Sequence, residues 1–392
     1  MKNIAILFDG TWNTSDSQHP SNVVKTAQLI APRSPADIEQ VIYYDAGVGS
    51  VDVAVASSIN NWLGGAFGSG LMANIEEAYR FLTFNYAPGD NIFIFGFSRG
   101  AFSARSMGGL IRTCGILRRD KVDQVKRATR LYKSWLPEDD AAVKVGQTRA
   151  DLPRFAQFRA ENALPLVPRR VGQTSQGAMA APVLSIAYMG VWDTVGALGV
   201  PGGFGLASLY NRRYRFHDLN LSSMVASARH ALAIDERRRT FEATVWDNIP
   251  VLNADAMKID PMLSSPPYLQ QWFPGDHGSV GGSGDVNGHW QSSLVWVVEG
   301  AMERGLGVDH ALLDAYRRDI DVTASLNCMT SPTFNIASIA VRRWRKGPKA
   351  REVDAVSEHA KARIRTPPDE LYERKPYRPP PLKEVIADLL KL

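Results

Sequence analysis

Residues 91–111 constrain the fold of this chain more than any other stretch. Residues 91–95 are a continuous apolar run, which is typical of a central strand in a parallel sheet, and residues 101–111 have helical spacing. Between them lies the sequence Gly-Phe-Ser-Arg-Gly, residues 96–100. A serine between two glycines, at a sharp turn from strand to helix, is the arrangement that exposes a nucleophilic hydroxyl at a sheet edge. Ser98 is therefore the candidate nucleophile.

The rest of the chain predicts an α/β fold with a doubly wound, mostly parallel sheet. Apolar runs typical of strands alternate with helical stretches such as residues 71–86, and this alternation is typical of such sheets. The further predicted strands are residues 3–8, 41–45, 183–192 and 240–246. Residues 201–230 and 251–270 are interpreted as loop insertions, and a short helix is expected from Lys383.

Two segments depart from this rhythm of strands and helices. Residues 118–181 are helical in pattern, highly charged and interrupted by prolines, so they are predicted to be an inserted helical cap. Residues 341–392 are basic and rich in proline. We therefore predict an α/β domain over residues 1–340, with the cap inside it, followed by a C-terminal extension.

Composition excludes several classes of protein. Apolar residues make up 45% of the 392 residues and charged residues 22%, which is ordinary for a globular protein and excludes collagen, coiled coil and wholesale disorder. No apolar run reaches the length of a membrane-spanning helix, and no secretory signal is visible, so a cytoplasmic start is expected. Two cysteines fit a reducing compartment. The histidines show no metal-ligand spacing, and neither a metal nor an organic cofactor is expected.

A serine nucleophile needs a base and an acid that orients the base. In α/β-hydrolases these residues follow in the order serine, acid, histidine. The predicted strand that ends at Trp192 is followed by Asp193, and a glycine-rich loop further along carries His277. These two residues complete a candidate triad with Ser98.

The transition state of ester hydrolysis also needs backbone N–H groups that stabilise an oxyanion. One is expected from Arg99, directly after the nucleophile. A second is expected from the turn after the first strand, where Gly10 and Thr11 follow Asp9. Asp9 itself is a candidate for a supporting role behind the site.

Five motifs, FDGTWN, GFSRGA, GVWDTVG, HALAIDERRRTF and FPGDHGSVGG, resemble those of the α/β-hydrolase domain family that includes type VI secretion phospholipase effectors. They occur in the order of that family between residue 8 and about residue 285. The resemblance implies Ser98 as nucleophile, Asp193 as triad acid and His277 as base. It also implies a structural role for residues 234–238.

One position departs from the pattern of the family, which usually has an aspartate where this chain has Ser279. Asp276 and Asp285 are the acids that could replace it from behind the site. The departure bears on substrate and rate rather than on the triad.

The resemblance implies a serine hydrolase that cleaves carboxylic esters through an acyl-enzyme on Ser98. Lipids are the expected substrates and a phospholipase A the expected type. The alternatives are a hydrolase of small or polymeric non-lipid esters and a non-catalytic scaffold that keeps the fold. Delivery by a specialised secretion system and peripheral association with a membrane are both compatible with this reading.

The net charge of +5 is concentrated near the C-terminus. Residues 341–379 contain twelve Lys and Arg against six Asp and Glu. Trp344 lies among four of these cations, at positions 342, 343, 345 and 346, which suggests contact with an anionic membrane surface. The alternative is a basic face that packs against the rest of the domain. No arrangement of aromatic and basic residues indicates binding of nucleic acid.

Overall fold

The computed structural model describes residues 1–10, 17–47, 66–134, 149–169, 182–196, 220–238, 241–284, 286–326 and 343–391. Thr11 and Asp285 lie outside the described residues.

A parallel sheet forms the centre of the domain. The eight described strands are β1 (Asn3–Phe8), β2 (Gln40–Asp45), β3 (Asn91–Phe97), β4 (Val167–Pro168), β5 (Val183–Leu184), β6 (Tyr188–Trp192), β7 (Ala228–Ala233) and β8 (Tyr268–Phe273). Six of them pair in parallel in the order β2-β1-β3-β6-β7-β8, and β4 pairs with β5 separately. The strand order reverses direction between β1 and β3. Ligands of such sheets bind at the carboxyl ends of the strands near this reversal.

Helices flank this sheet. They are α1 (Asn22–Leu29), α2 (Ala66–Asn85), α3 (Arg99–Cys114), α4 (Val125–Lys133), α5 (Pro153–Asn162), α6 (Ile249–Ile259), α7 (His277–Gly281), α8 (Trp290–Met302), α9 (His310–Arg318), α10 (Glu358–Arg365) and α11 (Ile386–Leu389). None of the helices in the described ranges is long and apolar enough to cross a membrane.

Alternation of side chains along the strands produces a core on each face of the sheet. In β1, Ile4 and Ile6 belong to the cluster packed with α2 and α3, whereas Ala5 and Leu7 belong to the cluster packed with α1, α8 and α9. Because β1 is buried on both faces, the strand is an unbroken apolar run. The predicted α/β class with a doubly wound parallel sheet is confirmed.

The two strands at one end of the sheet differ from the prediction. Residues 240–246 were expected to form a strand, but the described part of this range contributes only an isolated bridge between Ala243 and Val195. The strands are instead β7 and β8, and the first half of each lies within a segment expected to be a loop insertion. The polar residues of β7 and β8 interrupt the apolar pattern that would have predicted these strands. His230 is buried in β7, and its Nδ1 lies 3.0 Å from Oε1 of Gln270 in β8. Polar side chains that bond to each other across strands are buried without an apolar pattern.

The described parts of the predicted insertion at residues 118–181 are mostly helical, and the short strand β4 lies near their end. Helix α4 contributes Val125 and Tyr132, and α5 contributes Phe155 and Phe158, to the cluster that contains α2 and α3. These helices therefore extend the core on the α3 side of the sheet.

The described C-terminal residues 343–391, called the C-terminal segment below, pack against the outer edge of the sheet. Leu232, Ile234 and Trp272, which lie on or just after β7 and β8, form a third apolar cluster with residues 356–389. Val356 also forms a parallel bridge with Trp272. The segment thus covers side chains that the last two strands present on one side.

A pair of buried histidines joins α10 to the residue that caps α8. The Nδ1 of His289 lies 2.9 Å from Nε2 of His359, and Nε2 of His289 lies 3.1 Å from the carbonyl oxygen of Ala324. A carbonyl only accepts, so His289 donates to it from Nε2 and accepts at Nδ1 from His359. Burial, followed by the charges of His359 and Arg363, lowers the pKa of His289 to about 3. Burial, followed by Arg363, lowers the pKa of His359 to about 4.

We predict that the free energy of unfolding falls as the pH is lowered from 6.5 towards 4. In this window the unfolded chain takes up a proton at each of these histidines while the folded chain does not, which costs about 1.4 kcal/mol per pH unit and proton. Replacement His359→Gln keeps a donor towards His289 and removes one titrating group. Urea unfolding at several pH values should show a shallower decline for this variant. Replacement of the exposed His310 by Gln is the control, and an equal slope in wild type and His359→Gln would contradict the prediction.

Candidate active site

The turn after β3 holds Ser98 in a strained conformation. Its φ of 58° and ψ of −120° are rare for a residue with a side chain, and it is the residue that precedes the first turn of α3. Gly96 and Gly100 permit the turn, because a Cβ at Gly96 would lie 2.4 Å from the carbonyl oxygen of Gly100, and a Cβ at Gly100 would lie 2.1 Å from that of Phe8. The expected turn from strand to helix is present.

Ser98, His277 and Asp193 form a continuous chain of hydrogen bonds. The Nε2 of His277 lies 2.8 Å from Oγ of Ser98, and its Nδ1 lies 2.5 Å from Oδ2 of Asp193. A carboxylate only accepts, so Nδ1 carries the proton and Nε2 is left to accept from the serine hydroxyl. All three side chains are buried. Three residues that are 84 to 179 positions apart are therefore brought together in the expected arrangement.

Asp193 lies directly after β6 and is fully buried, with a φ of 40°. Its Oδ1 accepts from the N–H of Ala233 at 3.0 Å and from Nη1 of Arg345 at 2.6 Å, and Oδ2 accepts from Nη2 of Arg345 at 2.9 Å. Burial opposes its charge, but Arg345 and the bond from His277 hold the pKa of Asp193 well below its usual range. The acid is ionised at neutral pH.

Two aromatic rings enclose the imidazole of His277. The ring centroids of Phe97 and Phe241 each lie 4.7 Å from that of His277. Burial lowers the pKa of His277, and the adjacent Asp193 partly offsets this effect. The imidazole is therefore neutral at physiological pH, as a general base must be.

A charged cluster braces the loop that carries His277. Oδ2 of Asp235 accepts from the N–H of Gly275 at 2.8 Å, and Oε2 of Glu236 accepts from the N–H of His277 at 3.3 Å. Arg238 in turn binds both carboxylate oxygens of Glu236, at 2.8 and 2.5 Å. These residues follow β7 and hold the histidine loop, which explains why the motif at residues 234–238 carries several charges.

Asp276 acts at the start of α7 rather than on the imidazole. Its Oδ1 accepts from the N–H and the hydroxyl of Ser279 at 2.9 and 3.1 Å. This is an N-terminal cap, and Ser279 satisfies the cap together with the backbone. Burial and the nearby Glu236 raise the pKa of Asp276 to about 6. The serine in place of the usual aspartate thus belongs to the turn that presents His277.

The two candidate sources of oxyanion donors differ. Arg99 is the first residue of α3, where a backbone N–H can face the site. The N–H of Gly10 instead donates to Oδ1 of Asp9 at 2.6 Å, so in this structure it is engaged by the preceding side chain. The other oxygen of Asp9 accepts from the hydroxyl of Tyr44 at 2.9 Å. Asp9 thus orders the turn after β1.

Arg345 is the site residue that the sequence did not reveal. Of the two alternatives for the basic residues around Trp344, contact with a membrane or packing against the domain, Arg345 follows the second, because it is buried against Asp193. Its neighbour Trp344 lies beneath the guanidinium of Arg237, with 4.6 Å between the guanidinium carbon and the ring centroid. Among the basic residues around it, no signal in the sequence distinguishes Arg345, because only the fold brings it to the acid.

The fold and the site define a parallel α/β protein with a serine, a histidine and an aspartate in hydrogen-bonded order at the carboxyl ends of its strands. Within the described residues no group of three or more His, Cys, Asp or Glu side chains could hold a metal ion. The chain matches the T6SS phospholipase effector Tle1-like catalytic domain family over residues 2–300, about three quarters of its length, and it belongs to this family.

The chain spans between a third and about half of the length of the individual relatives that it matches. An uncharacterized protein from Saccharomyces cerevisiae is 30% identical over 260 residues, which are 64% of this chain and 33% of that protein. The structure of the Tle1 effector bound to the VgrG spike of the type 6 secretion system is similar over 72% of this chain and 51% of that chain, at 19% identity and a TM-score of 0.35. An uncharacterized protein from Pseudomonas aeruginosa is similar over 82% and 49%, at 17% identity and a TM-score of 0.39.

We predict that Gly100→Ala strongly destabilises the protein, because its Cβ would meet the backbone of β1, which cannot move away. A loss of about 3 kcal/mol or more in the free energy of unfolding is expected for such overpacking. Gly108→Ala is the matched control in the same helix, since its Cβ would lie 3.0 Å from the flexible end of Met189. Denaturant unfolding of both variants checks this, and equal stability would contradict it.

Proposed function

We propose that this chain is a serine hydrolase that cleaves carboxylic esters of lipids, of the phospholipase A type, through an acyl-enzyme on Ser98. The observation that carries the proposal is the hydrogen-bonded order Ser98–His277–Asp193, with 2.8 and 2.5 Å between the bonding atoms. Membership of the phospholipase effector family supports a lipid ester as the substrate class.

The geometry gives each residue a distinct step. His277 takes the proton from the Ser98 hydroxyl at Nε2 while the serine oxygen attacks the ester carbonyl carbon. The tetrahedral intermediate expels the alcohol, which receives the proton from His277, and the acyl group stays on Ser98. Water, deprotonated by the same nitrogen, then attacks the acyl carbon, and the bond to the Ser98 oxygen breaks. The fatty acid is released, and Ser98 regains its proton from His277. Asp193 stays ionised and stabilises the imidazolium that forms in both steps.

The N–H of Arg99 is proposed as one donor to the oxyanion of these intermediates. The turn that contains Gly10 and Thr11 is proposed to supply the second donor after it rearranges on substrate binding, because the N–H of Gly10 donates to Asp9 in this structure. Catalytic hydrogen bonds often tighten only when substrate is present.

Contact of residues 341–379 with an anionic membrane stays a prediction. Arg345 is unavailable for it, and Trp344 is covered in part by Arg237. Among the described residues near it, the exposed cations are Arg343, Lys346, Lys349 and Arg351.

Ser98→Ala is expected to lower ester hydrolysis by about 10³-fold or more with the fold intact, because the hydroxyl that forms the acyl-enzyme is lost. The measurement is product release from a panel of phospholipids and short-chain esters, followed by mass spectrometry. Ser103→Ala, at a buried serine five residues after Ser98, is the control and should keep its activity. A fluorophosphonate probe should label the wild type at Ser98.

Each outcome of this experiment separates the candidate functions. Hydrolysis of short esters without phospholipid cleavage would favour the non-lipid esterase. If the wild type neither hydrolyses any ester nor reacts with the probe, the result would contradict the proposal and favour a non-catalytic scaffold.

Asp193→Asn should reduce kcat by about 10⁴-fold, because an amide in place of the carboxylate disfavours the tautomer that leaves Nε2 free. Asp276→Asn should retain most of the activity, since its amide oxygen can still cap α7. Steady-state kinetics with circular dichroism of both variants checks this. If Asp276→Asn were the severe change and Asp193→Asn the mild one, the acid would be Asp276.

A further inference from the structure

A charged side chain from outside the family-matched region reaches the centre of the site. The family match ends at residue 300, and Arg345 lies 45 residues beyond it. Its guanidinium binds both oxygens of Asp193 in a two-pronged arrangement, at 2.6 and 2.9 Å. The same two nitrogens also donate to the carbonyl oxygens of Ala233 and Phe241.

We propose that Arg345 is a positioning residue of the active site, which orients Asp193 and offsets its charge so that the C-terminal segment completes the triad. The proposal rests on the function proposed above for Ser98, His277 and Asp193. Arg345 acts through Asp193 and contacts neither the nucleophile nor the base.

The direction of the two prongs supports a role in orientation. Arginine presents a planar fork that matches a carboxylate and fixes its plane, which lysine cannot do. Because Arg345 binds both oxygens of Asp193, Oδ2 has one favourable direction left from which to accept a further hydrogen bond. The Nδ1 of His277 occupies this direction at 2.5 Å. Because the side chain of Arg345 is 4% exposed and that of Asp193 is fully buried, solvent does not weaken the pair.

The charge of Arg345 has a second consequence, for His277. An unopposed carboxylate at Nδ1 favours the imidazolium, and the guanidinium behind it reduces this effect. The other charged groups that face His277 are Glu236 and Arg238, which bind each other, and Asp276 precedes it in the chain. Arg345 therefore keeps the base in its neutral form over a wider range of pH.

The first experiment reads His277 directly, so that it does not depend on catalysis. Full-length protein with ¹⁵N-labelled histidine is titrated by NMR, and His277→Gln identifies the signal. Arg345→Gln should raise the pKa of His277 by about one unit. Arg345→Lys, which keeps the charge, should move it by less. Arg343→Gln, at an exposed arginine two residues away, should leave it unchanged.

The second experiment measures ester hydrolysis against pH. Arg345→Gln should lower kcat by about 10- to 100-fold with little change in KM, which is the usual loss when a partner that orients a site residue is removed. It should also move the acid limb of the kcat/KM profile to higher pH. Arg345→Lys should recover part of kcat. In an Asp193→Asn background, Arg345→Gln should cost no further activity, because the two residues act as one unit.

The outcomes separate this proposal from the proposed function. If no ester is hydrolysed by the wild type, the proposed function fails and the NMR titration alone decides the role of Arg345 towards His277. A folded Arg345→Gln with the wild-type pKa at His277 overturns the proposal. If Arg345→Gln does not fold, the double variant Asp193→Asn with Arg345→Gln should fold, since no buried charge is left alone. Failure of the double variant as well would show that Arg345 serves the fold independently of Asp193.

Discussion

The buried charge of Asp193 is the interaction on which the rest of the site depends. An ionised carboxylate away from water is costly unless donors surround it. Here four hydrogen bonds reach its two oxygens, from Ala233, His277 and the two prongs of Arg345. These donors come from the end of β7, the first residue of α7 and the C-terminal segment. One carboxylate therefore ties three distant parts of the chain to the carboxyl end of β6.

This arrangement sets the chemistry of the neighbouring imidazole. Asp193 holds the proton on Nδ1 of His277, so that Nε2 faces Ser98 as an acceptor. The two aromatic rings and burial keep the imidazole neutral, while the carboxylate stabilises it when it gains a proton. The strained turn at Ser98 completes the geometry, since without it the hydroxyl would follow the helix and leave the line of the imidazole.

The parts of this design that depend on local pattern could be predicted from the sequence. The strand before Ser98, its two glycines and the helix after it lie in one short stretch, and Asp193 directly follows an apolar strand. The strands β7 and β8 could not be predicted in the same way, because buried His230 and Gln270 satisfy each other across the sheet and interrupt the apolar pattern. Arg345 was beyond prediction for a related reason. Arg345 lies among other basic residues, and nothing in this local sequence marks it as buried. It is buried because its partner carboxylate, 152 positions away in the sequence, is brought next to it by the fold.

The boundary of the domain follows from the same contacts. A chain that ended at residue 300, where the family match ends, would contain Ser98, Asp193 and His277 but no arginine behind the acid. It would also expose Leu232, Ile234 and Trp272, which the C-terminal segment covers in this structure. Apolar side chains of this size, left uncovered together, favour association or local unfolding at the edge that carries the histidine loop. The C-terminal segment therefore packs as the last layer of the α/β domain rather than as an appendage. Its Arg345 pairs with the buried Asp193, and its apolar side chains cover the strands next to that acid.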